Sequence, residues 1–169
     1  MTDIGVTDNI FSDKDHHYIF DYCTSVDGYF YGERDEPEHP PTGLVHNIPE
    51  DEKIYKLFLN KIGNELYPEV NKLEMYRMYI NCFAPCEVPY WHDDGPPECI
   101  TFLYYPHTEK WDMDELGETQ FYMDDMIYAI PPIPNRMIMF NASIKHRATS
   151  YRSSHRFSVA IKYRPFSVD

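Results

Sequence analysis

Basic side chains are scarce in this sequence. Fifteen Lys and Arg stand against 28 Asp and Glu, for a formal net charge of −13. A protein that grips a phosphate backbone needs clustered Lys and Arg, so nucleic acid is excluded as an expected partner. An anionic membrane surface is disfavoured for the same reason. Long apolar runs are also missing: no stretch approaches the roughly 20 residues that cross a bilayer. Met1–Asn9 is polar and acidic and has neither the basic nor the apolar region of a secretory leader. The expected location is therefore cytoplasmic. The four cysteines, Cys23, Cys82, Cys86 and Cys99, have no zinc-site spacing. In a reducing compartment they are expected to be buried as small hydrophobic residues. Internal repeats, low-complexity segments and breaks in composition are absent too. The 169 residues are expected to form one domain, 1–169, long enough to bury a core.

Aromatic residues, by contrast, are abundant: 16% of the chain, with 15 Tyr. Rings with a polar tip suit all-β cores and binding pockets. Ser12 can cap a helix over Asp13–Ser25, with Asp13 and Asp15 in the first turn, where the helix dipole favours acids. Pro49 opens a second helix, about Glu50–Leu66, whose Ile54, Leu57, Phe58 and Ile62 recur at helical spacing. Pro68 stops it. Tyr29–Tyr31 reads as a short strand. Glu33–Asn47 is charged, rich in proline and long for a loop, as lids and binding loops often are. Strands are expected at Glu74–Phe83, Ile100–Tyr105, Thr119–Met123, Ile127–Ile130, Arg136–Phe140, His146–Ser150 and Arg156–Tyr163, separated by Pro, Gly, Asn or Asp. A helical part over about 1–70 is thus followed by a β core over about 74–165. Strands in a run after two helices predict a mainly β sandwich or jelly roll with the helices packed on one sheet.

Within that core, Tyr90-Trp91-His92-Asp93-Asp94-Gly95 draws attention. In an extended segment His92 and Asp94 share a face, and Asp93 points away. With a second imidazole they form the two-histidine, one-carboxylate set that holds non-haem iron and leaves positions open. Alone, the triplet reads equally well as a solvated turn closed by Gly95. His146 and His155 are the downstream candidates. The last strand alternates Phe157, Val159, Ile161 and Tyr163, a large apolar face, with Arg156, Ser158 and Ala160, a small and polar one. His155 falls with the apolar set, which favours His146 as the third ligand. Arg156 then faces the interior. A buried Arg requires an anion, and its fork of donors suits a carboxylate. Ser158 points the same way. Glu118 is the rival partner for Arg156.

The order His92-x-Asp94, His146, Arg156-x-Ser158 resembles the 2-oxoglutarate- and Fe(II)-dependent dioxygenases, and among them the prolyl-hydroxylase-like branch. The resemblance runs over about Tyr76–Tyr163. It includes Cys99–Tyr105, Trp111-Asp112, Leu116–Phe121 and Arg136–Phe140. It implies a double-stranded β-helix, with iron held by His92, Asp94 and His146, and 2-oxoglutarate anchored by Arg156 with help from Ser158 and Tyr105. Dioxygen is the co-reactant and ascorbate a candidate reductant. Because a carboxylate, Asp94, stands where halogenating members carry a small residue, hydroxylation is the implied reaction. The chain departs from the branch at Phe83, where a Tyr is common; Asn81, on the same face, can compensate or can simply cap the strand. The implied substrate is a peptidyl proline. The alternatives are a free amino acid or other small molecule, or a silent jelly roll that only binds metal. Tyr29, Tyr31 and the loops Glu33–Asn47 and Pro106–Leu116 are the expected specificity elements.

Overall fold

The computed structural model describes residues 4–34 and 36–166; the expected domain limits, 1 and 169, lie outside the described residues. Nine strands and two α-helices occur among them, in the order β1 (Ile4–Thr7), α1 (Asp13–Ser25), β2 (Leu44–Asn47), α2 (Lys53–Asn60), β3 (Leu73–Phe83), β4 (Ile100–Tyr105), β5 (Thr119–Met123), β6 (Met126–Ile130), β7 (Arg136–Asn141), β8 (His146–Ala148) and β9 (Arg156–Pro165). All pairings between these strands are antiparallel. The larger sheet runs β1-β7-β4-β9-β3-β2 and the smaller β6-β5-β8.

Helix α1 begins where the capping residue places it: Ser12 Oγ accepts from the Asp15 amide at 3.2 Å and donates to the Asp15 carboxylate at 2.9 Å. Its buried residues, His16, Ile19 and Cys23, lie on one stripe. Helix α2 starts three residues later than expected. Pro49 forms a turn first, closed by the Glu52 amide on the Pro49 carbonyl at 3.2 Å. The helix then widens into a π-helical stretch, Lys61–Leu66, where the Gly63 carbonyl accepts from the Asn71 side chain at 2.8 Å.

Both helices pack on the outer face of the larger sheet. Ile19, Ile54, Phe58 and Ile62 meet Phe102, Tyr104, Val159 and Ile161 in one cluster, every one of them fully buried. A second cluster lies between the sheets and includes Tyr79, Leu103, Tyr105, Phe121, Ile138, Phe140 and Ala160. Strands β4 and β9 thus serve two layers: Phe102, Tyr104, Val159 and Ile161 face the helices, and Leu103, Tyr105 and Ala160 face the second sheet. No helix among the described residues is long and apolar enough to cross a membrane.

Three expectations are corrected, and one strand is added. Tyr29–Tyr31 is not a strand: only Phe30 bridges, to Val45, between Gly28 and Gly32, which both hold positive φ. The end of the expected Glu33–Asn47 loop is strand β2, paired with β3 over Leu44–Asn47. Strand β1 (Ile-Gly-Val-Thr), to which no element was assigned in advance, pairs with β7. The strand expected at His146–Ser150 ends at Ala148, after which the Thr149 amide bonds the Glu118 carbonyl outside the ladder. Cys23, Cys82 and Cys99 are buried as expected, whereas Cys86 is exposed in a turn at φ 62°.

Candidate metal and cosubstrate site

His92 and His146 face each other across a pair of backbone hydrogen bonds. The His92 amide donates to the His146 carbonyl at 3.0 Å, and the reverse bond is 2.8 Å. Such a doubly bonded antiparallel pair puts the two side chains on one side; the rings lie 4.5 Å apart. Two residues on, the Asp94 amide bonds the Ala142 carbonyl at 2.8 Å. His92 Nε2 is 3.8 Å from Asp94 Oδ1 and His146 Nε2 is 3.6 Å from Asp94 Oδ2. One ligand atom from each residue lies within 4.8 Å of the others, a grouping that could hold a metal ion. Asp93, as expected, is turned out to solvent.

The tautomers suit that use. Nδ1 of His92 lies 3.0 Å from the Tyr90 carbonyl, and Nδ1 of His146 lies 2.8 Å from that of Ile144. A carbonyl can only accept, so each Nδ1 carries the proton and each Nε2 presents a lone pair to the cluster. Burial, with the neighbouring His92, brings His146 down to about 4 against the pull of Asp94. Burial would raise the Asp94 carboxyl, but Lys162 and the two imidazoles hold it down to about 2. At neutral pH His146 is a neutral imidazole and Asp94 a carboxylate; with His92 Nε2 they make a two-histidine, one-carboxylate donor set that fits Fe(II).

Arg156 is 1% exposed, among the most deeply buried side chains. Its Nε donates to the Gly117 carbonyl at 2.8 Å, Nη2 to Thr119 Oγ1 at 3.1 Å and Nη1 to Ser158 Oγ at 3.3 Å. The Tyr105 hydroxyl meets the same Thr119 at 2.7 Å. Glu118 is not the partner: its carboxylate accepts from Thr149. Among the described residues no carboxylate is paired with Arg156. Gly117 has φ +90°, and a Cβ there would come within 2.2 Å of the Tyr151 ring. Only glycine can present that carbonyl to Arg156 so close beneath Tyr151.

One pocket connects these groups. Its lining includes His92, Asp94 and His146 at one end, Arg156, Ser158 and Thr119 at the other, and Asn81, Ala160 and Leu103 between. Asn81 stands opposite Ser158 in the β3–β9 register, and Phe83 opposite Arg156. Glu33 and Thr42 reach the pocket from the expected loop. That loop is tied down at two points: Glu33 forms a bidentate pair with Arg77 at 2.5 and 2.6 Å, and His39 stacks on Tyr90 at 4.3 Å. Trp91, next to His92 in the chain, does not line this pocket; it packs edge-on to Tyr122 and under the Arg147 guanidinium. His155 is exposed just ahead of β9 rather than packed beneath it.

Lys162, Thr101, Thr119, Tyr79 and Gly117 were not among the expected site residues. Lys162 was legible: the alternation that turns Arg156, Ser158 and Ala160 inward reaches it next. Thr101 likewise shares the face of Tyr105 on β4. Tyr79 shares the face of Asn81 and Phe83 on β3, whereas Gly117 carried no comparable signal.

No protein-family model matches the sequence, and no curated protein matches it. Solved structures do. A prolyl-4-hydroxylase from Pseudomonas putida superposes with a TM-score of 0.72 at 12% identity, over 98% of this chain and 94% of that one. The fold is that of the 2-oxoglutarate- and Fe(II)-dependent oxygenases. A prolyl hydroxylase from Trichoplax adhaerens, in complex with a peptide fragment of the hypoxia inducible factor oxygen degradation domain, gives 0.72 at 15% identity, over 97% and 84% of the two chains. HygX from Streptomyces hygroscopicus, with nickel and 2-oxoglutarate bound, gives 0.73 at 11% identity, over 97% and 83%. The oxygenase fold therefore extends through the helical part of this chain as well as the jelly roll.

Proposed function

We propose that this protein is a 2-oxoglutarate- and O2-dependent hydroxylase that uses non-haem Fe(II), organised as one domain. The observation that carries the reading is Arg156. A guanidinium has five N–H donors, and the contacts to Gly117, Thr119, Ser158 and the Tyr105 hydroxyl do not use them all. A buried cation with no acid beside it among the described residues, in a pocket also lined by two imidazoles and a carboxylate, calls for an anionic ligand. The distal carboxylate of 2-oxoglutarate meets that need.

When bound together, iron, 2-oxoglutarate and dioxygen supply the oxidation of a C–H bond, with 2-oxoglutarate leaving as succinate and CO2. The protein's part is positioning and exclusion. His92, Asp94 and His146 would hold the metal through Nε2 and a carboxylate oxygen. Arg156 would fork onto the distal carboxylate, with Ser158 and Tyr105 adding hydroxyl donors and Asn81 an amide where Phe83 has nothing to give. Ala160, small and buried between the two ends of β9's inner face, leaves room for the cosubstrate. Leu103 and Phe140 keep the walls apolar. The location in the cell is proposed as cytoplasmic, and ascorbate as a reductant.

We place the substrate among peptidyl prolines. The support is the likeness to two prolyl hydroxylases, one holding a peptide. A small-molecule substrate is the second reading, favoured by the likeness to HygX, which has also been solved with hygromycin B. Anaerobic titration with Fe(II) and then 2-oxoglutarate should raise a weak metal-to-ligand charge-transfer band in the visible. His92→Ala should abolish it, and Arg156→Met should require at least tenfold more 2-oxoglutarate. Succinate release across a panel of proline-containing peptides and free amino acids then assigns the substrate. No band in the wild type, and no succinate with any compound, would end the hydroxylase reading in favour of a silent metal-binding jelly roll.

A further inference from the structure

Asp94 is gripped from beneath by two neighbouring strands. Thr101 on β4 and Lys162 on β9 are register partners, so their side chains leave the inner face of the sheet next to each other. Thr101 Oγ1 donates to Asp94 Oδ2 at 2.7 Å, and Lys162 Nζ donates to Oδ1 at 2.7 Å. The lysine is itself held. Its Nζ lies 5.5 Å from the centre of the Tyr79 ring, whose hydroxyl is in hydrogen-bonding contact with the amine. On that ring also rests Arg77, at 4.0 Å. The lysine side chain is 13% exposed and the Asp94 side chain 5%.

We propose that Lys162 is a positioning residue that restricts Asp94 to ligating the metal through one oxygen, Oδ2. The proposal rests on the reading of His92, Asp94 and His146 as the metal ligands. Lys162 puts a full positive charge on Oδ1. A divalent cation on that same oxygen would sit within a few ångströms of the ammonium, and in a buried site like charges repel strongly. The Thr101 hydroxyl carries no net charge and leaves Oδ2 a free lone pair. The two donors therefore do unequal things: one orients the carboxylate, the other closes half of it. A carboxylate freed to chelate would take a second coordination position. A two-histidine, one-carboxylate centre needs its remaining positions for cosubstrate and oxygen, so chelation by Asp94 competes with 2-oxoglutarate rather than with the metal.

That sequence of effects separates the proposal from a lysine that merely compensates a buried acid. The test uses the full chain loaded with Co(II), whose visible bands report coordination, and 2-oxoglutarate added without oxygen. For Lys162→Met, Co(II) should bind within about threefold of wild type or more tightly, while the 2-oxoglutarate dissociation constant rises at least tenfold. Lys162→Arg, which keeps the charge, should recover most of that loss. A crystal structure of the Co(II) form of Lys162→Met should show both Asp94 oxygens on the metal. Tyr79→Phe keeps the ring and the lysine but loosens the ammonium. It should weaken 2-oxoglutarate two- to fivefold, and it serves if the methionine variant does not fold. Unchanged 2-oxoglutarate affinity in both Lys162→Met and Tyr79→Phe would overturn the proposal. So would a parallel loss of Co(II) and 2-oxoglutarate binding in a folded Lys162→Met. A wild type that binds neither Co(II) nor 2-oxoglutarate would instead overturn the metal-ligand reading on which the proposal stands.

Discussion

Asp94 and His146 are pushed toward lower pKa by opposite means. For Asp94, burial raises the carboxyl, and the cations and imidazoles around it, Lys162 first, prevail and bring it from 3.8 to about 2. For His146, burial is itself the dominant influence and brings the imidazole from 6.5 to about 4. The consequence for stability has the same sign in both. Each group binds a proton more readily in the unfolded chain than in the folded one, so acid favours unfolding. The His146 contribution is complete above pH 6.5 and is lost as the pH falls through about 4. The Asp94 contribution is complete above about 4 and fades toward about 2; with a shift of nearly two pK units it is on the order of 2 kcal/mol. Melting curves of the metal-free protein should therefore drop in two stages, first below pH 6.5 and again below 4; burial brings His107 down to about 4 as well, so His146→Gln should lessen the first stage without removing it. A melting temperature constant from pH 7 to 4 would contradict the burial argument for His146.

At the scale of elements, β9 carries most of the molecule's logic. One face holds Val159, Ile161 and Tyr163 against the helices. The other holds Arg156, Ser158, Ala160 and Lys162 toward the pocket. The two faces can be separated experimentally. Ile161 is fully buried, and cutting it to Ala removes packing and leaves a cavity, a loss of about 2–4 kcal/mol. Urea denaturation of Ile161→Ala should show that loss while 2-oxoglutarate affinity stays within about threefold of wild type. A large fall in affinity at unchanged stability would mean that the faces are coupled. The neighbouring β3 explains why: its long pairing with β9, Leu73–Phe83 against Arg156–Pro165, holds the strand in place from the side, independently of the helices.

The whole molecule is a jelly roll whose mouth is built from segments far apart in the chain. His92 and Asp94 precede β4, His146 opens β8, and Arg156 and Lys162 lie at opposite ends of β9. A ligand that bridges them binds the folded chain alone and stabilises it by mass action. With a metal and 2-oxoglutarate each near a hundredfold over its dissociation constant, each adds about 2.7 kcal/mol. For a chain of this size that corresponds to roughly 5–10 °C in melting temperature per ligand. Differential scanning fluorimetry with Mn(II), with 2-oxoglutarate, and with both should show the 2-oxoglutarate shift only when the metal is present, because in the proposed arrangement the metal would supply half of its site. A full 2-oxoglutarate shift without metal would place the cosubstrate elsewhere.

The amino-acid sequence determined the elements and the chemistry they carry. Strand limits at Ile100–Tyr105 and Thr119–Met123 and the helix Asp13–Ser25 were legible to the residue, because alternation and capping are local. Period-two alternation also turned Arg156 and Ser158 inward, and with them the need for an anion. Only the tertiary structure decided which groups meet. That Thr101 and Lys162 close on the same carboxylate depends on the register between β4 and β9, and Gly117 lends its carbonyl to Arg156 only because Tyr151 packs against it. Those are long-range pairings, set by how two sheets stack and slide, and no local pattern encodes them.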